Sequence, residues 1–138
     1  MEKSNQAPGQ VSYDGGMESI KILREKVDPQ KIKELAESVF ADMIKIVADV
    51  DREILAAGGE LHADAEALLL EDGSKQDNLW GANFFPWKEP FRRLQYTALI
   101  NIRPGADNAG MLIQNPDIRR KVQSIVEKLL LATHEKMA

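Results

Sequence analysis

A chain of 138 residues with 43% hydrophobic and 29% charged side chains has the length of one ordinary domain and the balance of a globular one. It contains no cysteine, which excludes disulfides, thiolate zinc sites and cysteine nucleophiles together. Its formal net charge of −4 argues against a protein that grips nucleic acid through phosphates, which normally carries a basic surplus.

In chain order, Met1 to Gly16 (MEKSNQAPGQVSYDGG) are polar and rich in Gly, Pro, Ser, Asn and Gln. Such a stretch buries too little apolar surface to offset its ordering, so residues 1–16 are expected to be a disordered tail ahead of a single domain over 17–138. It has no basic region followed by an apolar run, so a signal peptide is not expected, and no later stretch approaches 18 apolar residues. With no cysteine and no leader, the expected compartment is the cytoplasm.

A short alternation in MESIKILREKV predicts a first strand or extended arm. In DPQKIKELAESVFA, Asp28 can accept from free amides and Pro29 suits the first helical position; Ile32, Leu35, Ala36, Val39 and Phe40 then form one stripe. MIKIVADV alternates with period two and is rich in β-branched residues, a strand. A turn near Asp51 and Arg52 leads into ILAAGG, a second strand ended by two glycines. HADAEALLLEDG is helical, with Asp64 and Glu66 near the positive end of the dipole and Gly73 as its stop.

NLWGANFFP reads as an aromatic strand. RRLQYTALINIR reads as the best strand of the chain, with Leu94, Tyr96, Ala98, Ile100 and Ile102 on one side and Gln95, Thr97, Leu99, Asn101 and Arg103 on the other. PWKEPF between them is short enough for a hairpin. PGADNAGMLIQ is a loop. The chain closes on a helix with Asn115 as cap and Pro116 in first position, burying Ile118, Val122, Ile125 and Leu129. The order β-α-β-β-α-β-β-α implies an α+β fold: a mainly antiparallel sheet of about four to five strands with three helices on one face, a two-layer sandwich. The helices cover either the Tyr96 row or, in the inverted assignment, Trp80, Ala82 and Phe84.

GGELHADAEALLLEDGS, LWGANFFP, LINIRP and NPDIRRKV together resemble a small prokaryotic family catalogued as a domain of unknown function, family 5674. The resemblance covers roughly residues 43 to 130. Asn108 stands at the family's asparagine in the loop after Pro104, and Ala109 stands where the family has arginine. Membership implies a small soluble prokaryotic protein and no particular reaction.

Candidate chemistry is sparse. His62, Asp64 and Glu66 sit at i, i+2 and i+4, where a helix turns Asp64 away from the other two; two ligands make no zinc site, so no metal and no cofactor are expected. His62 alone is the candidate catalytic acid/base. No phosphate-binding glycine motif and no nucleophile elbow are present. Asn83, Asn101 and Arg103 are candidate ligand contacts on an open sheet face. Asn108 joins Arg103 in a conceivable anion cradle with the start of the last helix.

Charge is polarised. Gly58 to Asn78 holds six acids and one base, whereas Lys88 to Lys121 holds seven bases and three acids. Trp87, Phe91 and Arg92 crowd a hairpin tip beside other cations, a composition that suits a partner interface and predicts a homodimer. The leading functional expectation is therefore a small cytosolic, non-catalytic binding or assembly module. The alternative is a small-ligand binder or enzyme in which His62 and Arg103 share one pocket. Nucleic-acid binding through Arg92, Arg93, Arg119, Arg120 and Lys121 is a minor third reading.

Overall fold

The computed structural model describes residues 19–138, so the reading of residues 1–16 lies outside the described residues. The observed elements are β1 (Lys21–Leu23), α1 (Pro29–Glu37), β2 (Ile44–Asp49), β3 (Ile54–Ala57), α2 (His62–Glu71), β4 (Leu79–Phe84), β5 (Leu94–Gln95) and α3 (Pro116–Leu129). The five strands form one open sheet in the order β1-β3-β2-β4-β5, every neighbouring pair antiparallel. The α+β class and the element order are those read from the sequence.

The helix starts have the local causes expected, and the hairpin turn has one in Asp49 that the sequence reading did not name. Asp28 Oδ1 accepts from the Lys31 amide at 3.1 Å, and Asn115 Oδ1 accepts from the Asp117 amide at 2.8 Å, so both Asx–Pro pairs start helices. Between β2 and β3, Asp49 Oδ1 takes the amides of Asp51 and Arg52, which bends the chain into the hairpin.

The helices do not share one face. Alternation along β2 sends Ile44, Ile46 and Ala48 to one side, where they meet Ile32, Leu35 and Ala36 of α1 and Val122, Ile125 and Leu129 of α3. Val47 points the other way, and with Ile54, Ala56 and Leu79 it packs under Ala65 and Leu69 of α2. The expected one-sided sandwich is corrected to a sheet sandwiched between α1 with α3 and α2. The crossing is made at Gly58, which has a φ of 112° and whose added Cβ would stand 2.4 Å from the Ser19 carbonyl oxygen. On β4 the inverted assignment holds: Trp80, Ala82 and Phe84 face α1 and α3.

The long strand expected at 92–103 is not formed. Only Leu94 and Gln95 pair with β4, opposite Phe84 and Asn83. Beyond them, Tyr96 to Ala98 turn to pair with Met111 to Ile113, and Leu99–Asn101 is a 3-10 turn. The physical reason lies in side chains that take the place of a ladder. Asn101 Oδ1 accepts from the Gly81 amide at 2.8 Å, and its Nδ2 donates to the Gly81 carbonyl at 2.9 Å. Arg103 Nη2 donates to the Leu79 carbonyl. The free edge of β4 is thus closed by an amide and a guanidinium instead of a strand.

Candidate functional site

His62 opens α2, following Leu61, which caps without a side-chain bond. Placement on the inner side of the first turn lays its ring across β4: an added Cβ on Gly81 would come within 3.2 Å of His62 Cδ2. Nε2 lies 2.9 Å from the Ala82 carbonyl oxygen. A carbonyl only accepts, so Nε2 carries the proton and, in the neutral ring, Nδ1 carries the lone pair. Burial pushes the imidazole below its ordinary value; the Ala82 carbonyl opposes this, the Lys45 charge adds to it, and Asn83 opposes it again. Below pH 7 but above that lowered value the ring therefore stays neutral.

Around this imidazole is a cleft of about 380 Å³. Its polar lining is Lys45, His62, Asn83 and Thr97, and its apolar lining includes Leu61, Leu99, Ile100 and Met111. Lys45 and Asn83 are cross-strand partners, so the β2–β4 register itself sets them side by side. Asn83 Nδ2 donates to Gln95 Oε1 at 2.7 Å, whereas its Oδ1 is buried and, although it acts on the His62 ring, has no partner in hydrogen-bond geometry. The rim is unusually apolar for a water-facing surface: Leu61 is 56% exposed, Leu99 72%, and Met111 is exposed as well.

The other candidate residues divide. Asn101 and Asn108 are fully enclosed. Asn108 Nδ2 donates to the carbonyls of Asn101, Gly110 and Leu112, and its Oδ1 accepts from the Gln114 amide, so this one side chain ties the 96–115 segment together. Both amides are spent on main chain, which places them beneath the surface and not on an open sheet face. Arg103 lines a second, neighbouring cleft with Glu66, Gln76 and Asp77. His62 and Arg103 line different clefts, and Leu99 and Ile100 form the wall that the two clefts share. Among the described residues no group of three or more His, Cys, Asp or Glu side chains could hold a metal.

At the hairpin tip, Phe91 is 81% exposed, and Trp87 and Arg92 are exposed beside it. Arg93, counted among the surface cations in the minor reading, is buried instead. Its guanidinium donates to the carbonyls of Lys88, Ala132 and Glu135, pinning the segment after α3. Arg119 donates to the Ile113 carbonyl at 2.6 Å, and Arg120 pairs with Asp117. Three of the five cations of that patch are thus already engaged.

Lys45 in the first cleft, and Gln76 and Asp77 in the second, were not singled out from sequence as site residues; Thr97 was placed on the polar face with Asn101 and Arg103, and Glu66 was weighed only as a metal ligand beside His62. Lys45 had a signal, since it alternates against Ile44 and Ile46; its neighbour Asn83 depends on a register that no local pattern reveals.

No helix among the described residues is long and apolar enough to cross a membrane. No curated protein and no solved structure matches the chain. A family model described as a protein of unknown function, DUF5674, matches residues 21–129, from β1 to the end of α3. The chain belongs to that family, the one that the sequence itself resembles.

Proposed function

We propose that this chain is a small cytoplasmic, non-catalytic binding module that takes its ligand in the His62 cleft. The observation that carries the reading is the pairing of an apolar rim, Leu61, Leu99 and Met111, with polar groups that lack a full set of partners, above all Asn83 Oδ1. Neutral His62 adds the Nδ1 lone pair, so the floor is rich in acceptors. The ligand class that suits it is a small, largely apolar molecule bearing an N–H or O–H donor. A non-catalytic role is the simpler reading, since no carboxylate among the described residues hydrogen-bonds to the His62 ring and no serine or cysteine stands beside it in the cleft lining.

The test is an amide-resolved NMR titration of the full chain with indole, 4-methylphenol and toluene. The first two are expected to shift His62, Asn83, Thr97 and Leu99 together, and toluene to bind about tenfold more weakly for want of a donor. Shifts confined to other surfaces would sink the assignment.

A second reading, that the chain self-associates as a homodimer, is favoured by one observation: Phe91 is almost wholly exposed beside Trp87 and Arg92 at a tip that packing within the chain leaves uncovered. Light scattering of the wild type and a Trp87→Ala/Phe91→Ala double variant decides it; a wild-type monomer at high concentration removes it.

A further inference from the structure

The second cleft, about 800 Å³ between α2, the Gln76–Asn78 turn and the 99–106 segment, has a chemistry of its own. The Arg103 guanidinium is held on two sides. Its Nη2 donates to the Leu79 carbonyl, and its plane stacks over the Trp80 ring at 4.4 Å. That fixes the fork and leaves Nη1 enclosed without any hydrogen-bond partner. An enclosed cationic N–H lacking an acceptor is costly, and a ligand carboxylate that reached it as the 99–106 segment gave way would satisfy it.

The protein's own acids do not fill it. Glu66 and Asp77 line the same cleft and act on the guanidinium through space, yet among the described residues neither forms an ion pair with it. Glu66 is instead turned toward Gln76, whose Nε2 lies 3.5 Å from its Oε2. Both signs of charge thus face one space without neutralising each other. A lone anion such as phosphate would meet two carboxylates, a polyamine would meet the guanidinium, and a neutral molecule would leave Nη1 bare. A molecule with both charges close together satisfies all three groups. Leu99, Ile100 and Ile102 supply an apolar wall beside them.

We propose that this cleft binds a small zwitterion, an α-amino acid with an apolar side chain, its carboxylate on Arg103, its ammonium between Glu66 and Asp77, and its side chain on Leu99 and Ile102. The site adjoins the His62 cleft across Leu99 and Ile100, but its charged groups, Arg103, Glu66 and Asp77, lie outside that cleft, so it does not depend on a ligand beside His62.

The experiment is an NMR titration of the full chain with L-leucine and its two half-molecules, 3-methylbutylamine and 4-methylpentanoate, and with inorganic phosphate. Leucine is expected to shift Ile100, Ile102, Arg103 and Ala106 with saturation in the millimolar range. Each half-molecule should bind about tenfold more weakly, since each lacks one charge-assisted contact. Arg103→Gln is expected to abolish saturation. Because Arg103 also braces Trp80 and Leu79, the surface variants Glu66→Gln and Asp77→Asn provide the independent arm: each should weaken leucine about fivefold and leave 4-methylpentanoate unchanged or tighter. Absence of saturation by leucine overturns the proposal. So does 4-methylpentanoate or phosphate binding as tightly as leucine, which would mark a plain anion site.

Discussion

Asn101 satisfies both main-chain groups of Gly81 with a single side-chain amide, 2.8 Å to the N–H and 2.9 Å to the carbonyl, and donates a further bond of 3.0 Å to the Met111 carbonyl. A residue that reads as a polar contact on an open strand is therefore the fastener between β4 and the segment that covers its edge.

Replacing Asn101 with Ala should cost about 3 kcal/mol, because it leaves an enclosed N–H and two carbonyls without partners. Asn101→Asp should be at least as damaging, since a carboxylate can take the Gly81 amide but cannot donate to either carbonyl. Urea unfolding of the two variants checks the order. Gly81→Ala belongs to the same test: the new methyl would stand 2.6 Å from Ala98 Cβ, and overpacking of this kind costs about 1–3 kcal/mol.

His62 sets a pH dependence whose sign follows from its depressed value. The unfolded chain, with an ordinary imidazole, holds more protons than the folded chain between the folded value and the ordinary 6.5. Stability from this residue is complete above pH 6.5 and falls as the pH drops through that value toward the folded one. Denaturant midpoints measured from pH 7.5 down to pH 5 should fall in the wild type. His62→Gln, which can still donate to the Ala82 carbonyl, should flatten that part of the curve; an unchanged slope would mean that His62 contributes nothing to it.

Arg93 holds the Ala132 and Glu135 carbonyls, while Lys26 holds the Leu130 carbonyl at 2.7 Å and the Glu135 carboxylate at 2.6 Å. The segment after α3 is thus clasped from two directions. Arg93→Gln should loosen residues 130–137 locally, with amide exchange there faster by about tenfold and little change in β2. Arg93→Lys should not restore protection, because a single ammonium cannot span three carbonyls as the guanidinium fork does. Hydrogen-exchange mass spectrometry resolves the two regions.

The apolar rim of the first cleft and the hairpin tip make opposite demands on one pair of variants. Leu99→Asp should weaken indole binding at the His62 cleft about tenfold and leave self-association untouched, whereas Phe91→Asp should do the reverse. Both positions are highly exposed, so neither change should alter stability by more than about 0.5 kcal/mol. Titration and light scattering on the same two proteins separate the surfaces.

Much of the fold is legible in the residues because its causes are local. Asp28–Pro29 and Asn115–Pro116 begin helices through bonds made within three residues, and the β2–β3 hairpin turns on Asp49 reaching the amides two and three residues on. The failures are non-local. Alternation from Leu94 to Arg103 is real, but a strand needs a partner edge, and beyond Gln95 the edge of β4 is taken by Asn101 and Arg103. Nothing near Asn101 indicates that its amide will be spent on a glycine twenty positions earlier. The side on which α2 lands is equally invisible to periodicity, since a leucine stripe fits either face of a sheet. His62 and Asn83 could each be named from sequence; that they share a cleft follows from the crossing at Gly58.

That crossing also ranks the parts of the domain by how they open. With α2 below and α1 and α3 above, β2 is shielded on both faces and flanked on both edges by β3 and β4. Its amides can reach solvent only when the whole sheet comes apart, whereas the 96–115 segment hangs from side-chain amides that can release one at a time. The region that lines both clefts is thus the one able to yield without loss of the fold, so ligands can be admitted at a cost well below that of unfolding.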